Sequence, residues 1–187
     1  MKKICLLSCL LLITMFSYAQ HLNFMGIPIN GNINSFQTKI AQKGIKVSNR
    51  SKTAPAGVRI FEGYFANEKA EVIVFYNVKT KNVHHCRVAF DKVFETIDEV
   101  QTKLDYYKEI LNQKYDGLTS DMIDEFKSNI NYSIAVVQPP IIEDAPLLGF
   151  IELSIQELDY NLGYSLWIDY IDSENSTNNE EQKTNDL

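Results

Sequence analysis

The chain reads as an α+β domain, an antiparallel sheet with helices packed on one face, and three observations predict it. Strand-period alternation runs through 58–90 and again through 149–172. One long helix-period segment, 96–115, lies between them, and a shorter one precedes the first strands. Helices and strands therefore come in segregated runs, which selects an antiparallel sheet over a parallel βαβ arrangement. The order of helix then strands occurs twice, in outline a duplicated unit with halves at 20–95 and 96–172, although the halves share little sequence identity.

The first twenty residues carry an address. Lys2 and Lys3 precede an apolar run from Ile4 to Phe16, and Ser17-Tyr18-Ala19 supplies small residues at the −3 and −1 positions of a cleavage site before Gln20. The run falls short of the ~20 apolar residues that span a bilayer. The expectation is a signal peptide over 1–19, a mature chain from Gln20 with no transmembrane segment, and an exported protein, periplasmic or extracellular.

Residues 32–47 read as a short amphipathic helix running into a strand. Asn32 or Asn34 caps it, Ile33, Phe36 and Ile40 recur at helical spacing, and Gly44-Ile45 forms a left-handed stop with an apolar clasp. Residues 48–57, with Ser51, Thr53, Pro55 and Gly57, form a loop. From Val58 to Phe90 three strands make a meander. A turn at Asn67-Glu68 puts Phe61 opposite Val74 and Phe65 opposite Ala70, which gathers Phe61, Phe65, Val72 and Val74 on one face. After a second turn at 79–82, His84, Cys86, Val88 and Phe90 alternate with His85, Arg87 and Ala89, and the first set is assigned to the core.

The long helix carries the clearest signal. Thr96 and Glu99 make a capping box, and Val100, Leu104, Tyr107, Leu111 and Tyr115 form its apolar stripe before Gly117. A shorter helix is predicted over 120–129, and a strand over 134–137 that Pro139-Pro140 ends. In a hairpin from Gly149 to Asp172, Ile151, Leu153 and Ile155 face Leu162, Tyr164, Leu166 and Ile168. The tail over 173–187 is rich in Asn, Glu, Ser and Thr, lacks aromatic residues, and is predicted to be disordered.

Loss of Lys2 and Lys3 takes the formal charge from −6 to −8, which argues against nucleic acid and anionic lipid as partners. Of the three cysteines only Cys86 lies outside the signal, so no internal disulfide forms and a packed core must hold the fold. His84-His85-Cys86 is the one cluster of soft ligands. In a strand His84 and Cys86 share a face while His85 points away, too few ligands for a closed zinc site and a poor geometry for a nucleophile pair. Asp169, Asp172 and Glu174 read as a solvated strand end. There is no P-loop, dinucleotide fingerprint, G-x-S-x-G or H-E-x-x-H, and nothing that calls for a cofactor or metal.

The functional hint is apolar. If the last hairpin turns at Leu158-Asp159, Phe150 falls opposite Trp167, framed by Glu152, Ser154, Ser165 and Asp169. An aromatic pair with a polar frame is the pattern of a partner-binding patch, with Phe150, Glu152, Ser165, Trp167 and Asp169 as its candidate residues; the alternative is that a second element, such as the 139–148 loop, covers that face and makes Trp167 core. The expectation is a secreted or periplasmic, non-enzymatic binding or interaction module for a protein or small ligand. The alternative is a small secreted hydrolase using His84, His85 or the terminal carboxylates.

Phe24-Met25-Gly26-Ile27-Pro28-Ile29-Asn30-Gly31, Phe36 and the Lys43-Gly44 stop resemble the opening of a group of secreted, uncharacterised proteins of the Bacteroidetes. Leu111-Asn112-Gln113-Lys114-Tyr115 and Ile168-Asp169-Tyr170-Ile171-Asp172 extend the resemblance over most of the mature chain. Two positions depart from it: Phe94, where that group often has Trp, and Asp116 ahead of Gly117, where Gly often follows the Tyr directly. The resemblance implies secretion and no particular activity. The duplicated helix-plus-strands pattern is also similar to the architecture of the β-lactamase-inhibitor proteins, an analogy of fold that transfers no function.

Overall fold

The computed structural model describes residues 21–115, 118–120, 132–137, 146–159 and 162–185. The expected signal peptide, the helix over 120–129 beyond its first residue, Gly117 and the segment after Pro139-Pro140 as far as 145 lie outside them. The chain enters through a small hairpin, β1 (Asn23–Phe24) and β2 (Ile27–Pro28), followed by helix α1 (Ile33–Ala41) and the short strand β3 (Lys46–Val47). Then come β4 (Val58–Phe65), β5 (Glu68–Tyr76), β6 (Val83–Phe90) and the long helix α2 (Ile97–Lys114). After it the chain adds β7 (Leu118–Ser120), β8 (Tyr132–Val137), β9 (Leu147–Glu157), β10 (Tyr164–Asp172) and helix α3 (Ser173–Asn185). The α+β class is as the segregated periodicities require.

Strands β3 to β10 form one eight-stranded sheet in the order β3-β4-β5-β6-β10-β9-β8-β7, and every pairing in it is antiparallel. The strand order is symmetric about its centre. Each half supplies one helix and four consecutively paired strands, and the halves meet where β6 pairs with β10. Register places Phe61, Val72, Val88, Ile168, Leu153 and Tyr132 in one row across six strands, all on the core face. Onto that face pack Ile33, Phe36 and Ile40 of α1 and Val100, Leu104, Tyr107 and Leu111 of α2. Aromatic rings tie the layers together: Phe24 meets Tyr170 edge-on at 5.2 Å, and Phe90 stacks on Tyr107 at 5.0 Å.

Local chemistry sets the helix starts. The Asn32 side chain accepts from the Asn34 N–H, and the Thr96 hydroxyl accepts from the Glu99 N–H at 3.4 Å. The Glu99 carboxylate returns a bond to the Glu95 N–H, one residue before the position a capping box uses.

Three expectations are corrected. The β4–β5 hairpin turns at Ala66-Asn67, both with positive φ (48° and 67°), so Phe61 pairs with Val72 rather than Val74. That two-residue loop matches the strand twist, and a slip of two leaves the faces unchanged. On β6 a bulge opposite Phe75/Tyr76 breaks the alternation, so Val83 and Cys86 are both buried while His84 stands outside the core. The tail is not disordered over its described length: α3 packs against β6, β9 and β10. Its polar composition works for it, since Asn175 donates to the Ile29 carbonyl, Ser176 to the His84 carbonyl and Asn77 to the Asn179 side chain.

Candidate functional site

On the sheet face opposite helices α1 and α2, alternation along each strand brings up Ile73 and Phe75 from β5, His85 and Arg87 from β6, and Trp167 and Asp169 from β10. Arg87 and Asp169 are cross-strand partners on the two central strands, where the halves join. The Arg87 Nε–H donates to Asp169 Oδ1 at 2.7 Å, and His85 Nε2 lies 2.5 Å from the same oxygen. The guanidinium carbon sits 4.3 Å above the centre of the Trp167 ring and 5.9 Å from that of Phe75. Phe75 in turn stacks on His85, 4.4 Å between centroids and 12° between planes. Arg87 is thus held in place by one charged hydrogen bond and one aromatic face.

Burial pushes the Asp169 carboxyl up, but the hydrogen bonds from His85 and Arg87, with their charges, outweigh it and hold the group below the ordinary carboxylate range. The carboxylate side chain is only 7% exposed, against 26% for Arg87. The cluster is therefore an ionic centre set among half-buried apolar residues, where charge interactions are stronger than in water. Beside it, sharing Phe75, opens a cleft of about 300 Å³ bordered by Gly57, Val58, Tyr76, His84 and Asn179.

Trp167, Asp169, Glu152, Ser165 and Phe150 all alternate onto this face, yet the expected Phe150–Trp167 pair does not form. Trp167 is opposite Ser154, Asp169 opposite Glu152 and Phe150 opposite Ile171. The β9–β10 connection is longer than a two-residue turn, so the register slips by four: faces are kept and rows are lost. Trp167 is half-buried, and its aromatic neighbour is replaced by Arg87. Ser165 is buried at 7% exposure.

Of the terminal carboxylates Glu174 is exposed, as expected, and lies 3.8 Å from the His21 ring, whereas Asp169 and Asp172 are buried at separate places. Asp172 is fully buried and turns to the N-terminal segment, accepting from the Leu22 N–H and the Asn175 N–H, each at 3.0 Å, with His21 Nδ1 at 3.1 Å. Burial raises its pKa against those three bonds. Cys86 lies in the core with its thiol pKa pushed well up by desolvation, while His84 borders the cleft and His85 meets Asp169, so the three adjacent side chains serve three places. Among the described residues no group of three His, Cys, Asp or Glu side chains is placed to hold a metal ion.

No family model, curated protein or solved structure matches this chain. The site therefore stands on its geometry alone. Arg87, His85 and Phe75 are its members that the patch reading missed. The outward phase of β6 was legible, but its partnership with β10, over 80 residues away, has no local signature. Among the described residues no helix is long and apolar enough to cross a membrane.

Proposed function

We propose that the protein is a secreted or periplasmic, non-enzymatic binding module whose central sheet face receives a protein or small ligand. The observation that supports this most directly is Arg87 stacked on Trp167 and oriented by Asp169 in a half-buried apolar field. Aromatic and arginine side chains held rigid in such surroundings are those that dominate binding interfaces. Trp167 is the only tryptophan and reports on the site directly. An aqueous quencher should reach part of its emission in the free protein and lose that access when a partner is bound. Capture of envelope proteins on the immobilised wild type should be lost in Trp167→Ala; undiminished capture by the variant counts against this face.

The His85–Asp169 pair gives the hydrolase reading a foothold, because a His–Asp hydrogen bond also orients the base of a catalytic triad, although here Nε2 rather than Nδ1 faces the carboxylate. Among the described residues, however, no hydroxyl or thiol is hydrogen-bonded to His85, and Cys86 is buried on the other face. Hydrolysis that survives in the wild type and vanishes in His85→Ala would favour this reading over the first.

A further inference from the structure

Arg87 spends one of its five N–H groups on Asp169, and among the described residues its two Nη groups have no acceptor. They are nevertheless fixed in direction, because the Nε bond and the Trp167 ring leave the guanidinium plane little freedom. Its flanking positions on this face are Ile73 opposite on β5, Ala89 and His85 along β6, Glu71 on the diagonal, and the rings of Phe75 and Trp167. A planar fork with open donors in weakly hydrated surroundings matches a carboxylate, which it takes through two parallel hydrogen bonds. The nearest acidic neighbour on this face beyond Asp169 is Glu71, diagonal to Arg87 on β5 at about 7–8 Å and bonded to Arg50, and Glu152 lies two strands away.

The cleft indicates what the carboxylate is attached to. Phe75 belongs both to the Arg87 surroundings and to the cleft, whose other apolar walls are Val58, Tyr76 and Val78. The titratable side chains lining it are Tyr76, Lys79 and His84, with no carboxylate among them. Its volume, about 300 Å³, is at the small end of ligand sites. We propose that Arg87 and the adjoining cleft form a binding site for a small carboxylic acid with an apolar body, the carboxylate on the Nη groups of Arg87 and the body across Phe75 into the cleft. The site rests on the binding-module reading and names its ligand class.

The test is titration of the purified protein with decanoate, with decanol as the uncharged match and acetate as the match without a body, each followed by Trp167 fluorescence. Decanoate should give a saturable change, with decanol and acetate at least about tenfold weaker, and Arg87→Gln should lose about 10- to 100-fold in decanoate affinity, the effect of one charge-assisted hydrogen-bonded pair. Val78→Phe, at an exposed cleft residue, should weaken decanoate and leave acetate unchanged. Circular dichroism checks the fold of each variant; if Arg87→Gln is unfolded, Arg87→Lys, which keeps the charge and loses the fork, should bind decanoate about tenfold more weakly. Equal binding of decanol and decanoate, or undiminished decanoate binding by a folded Arg87 variant, overturns the proposal. If no acid binds but a protein partner is still captured through Trp167, the carboxylate site fails and the binding module stands. If capture fails as well, both fall.

Discussion

On β10, Asp169 faces away from α1 and α2 and Asp172 turns to the N-terminal segment, and the same physical term, burial, acts on both carboxyls with different results. At Asp169 the bonds from His85 and Arg87 win, so its folded pKa lies below 3.8, and the stability it contributes is complete above that value and lost as pH falls through the folded pKa. At Asp172 burial wins, so the folded pKa lies above 3.8, and the fold gains stability as pH falls from above that pKa towards 3.8. Denaturant unfolding as a function of pH should show the two limbs separately: Asp169→Asn removes the acid loss, and Asp172→Asn removes the gain that precedes it. At neutral pH Asp169→Asn should cost about 2 kcal/mol, the range for hydrogen bonds to charged groups. A third residue prediction concerns Gly163, whose φ is +107° and whose built Cβ would lie 2.2 Å from the Phe94 carbonyl oxygen. Gly163→Ala should destabilise by more than ~1 kcal/mol, because both the backbone region and the bridge between Phe94 and Tyr164 exclude a side chain.

Helix α2 and helix α3 are held by different forces and should fail differently. For α2 the apolar stripe through Leu104, Tyr107 and Leu111 does most of the work, and the Thr96 cap adds to it. Thr96→Ala should therefore cost about 1 kcal/mol in equilibrium unfolding, and Leu104→Ala about 2–5 kcal/mol, since it leaves a cavity in a packed layer. For α3 the anchors are polar. Asn175 reaches the Ile29 carbonyl and its N–H donates to Asp172, which also holds Leu22, so the C-terminal helix and the N-terminal segment share one buried carboxylate. Truncation after Asp172 should lower the melting temperature and speed proteolysis near His21. A merely solvated tail would leave both unchanged.

Across the whole molecule, the pairing of β6 with β10 joins the two halves of the chain into one body. Five registered residue pairs cross that seam, and the buried residues of both halves form a single cluster. A half of this kind leaves a central strand edge and an apolar face unpaired, which costs more than its own contacts return. Calorimetry should accordingly show one cooperative transition for the entire domain, and a fragment ending at residue 95 should not fold alone. Arg87 and Asp169 lie at the seam, so the candidate site exists only when both halves are present.

How much of this was legible follows from the range of each interaction. The sequence by itself determined the elements whose signals are local: the caps at Asn32 and Thr96, the α2 stripe, and the inward phase of Phe61, Val72, Leu153 and Ile168. It also determined which face of β10 carries Trp167 and Asp169, because side-chain period survives any even slip of register. Only the tertiary structure decided the rows. Turn geometry at Ala66-Asn67, the bulge that moves His84 off the core side and the longer β9–β10 connection each shift pairing without altering local pattern. The same holds for α3, whose polar residues order only because distant carbonyls and the buried Asp172 await them. The Arg87–Asp169–Trp167 centre is the extreme case, since its partners come from two halves of the chain and meet through backbone pairing that no short window of residues records.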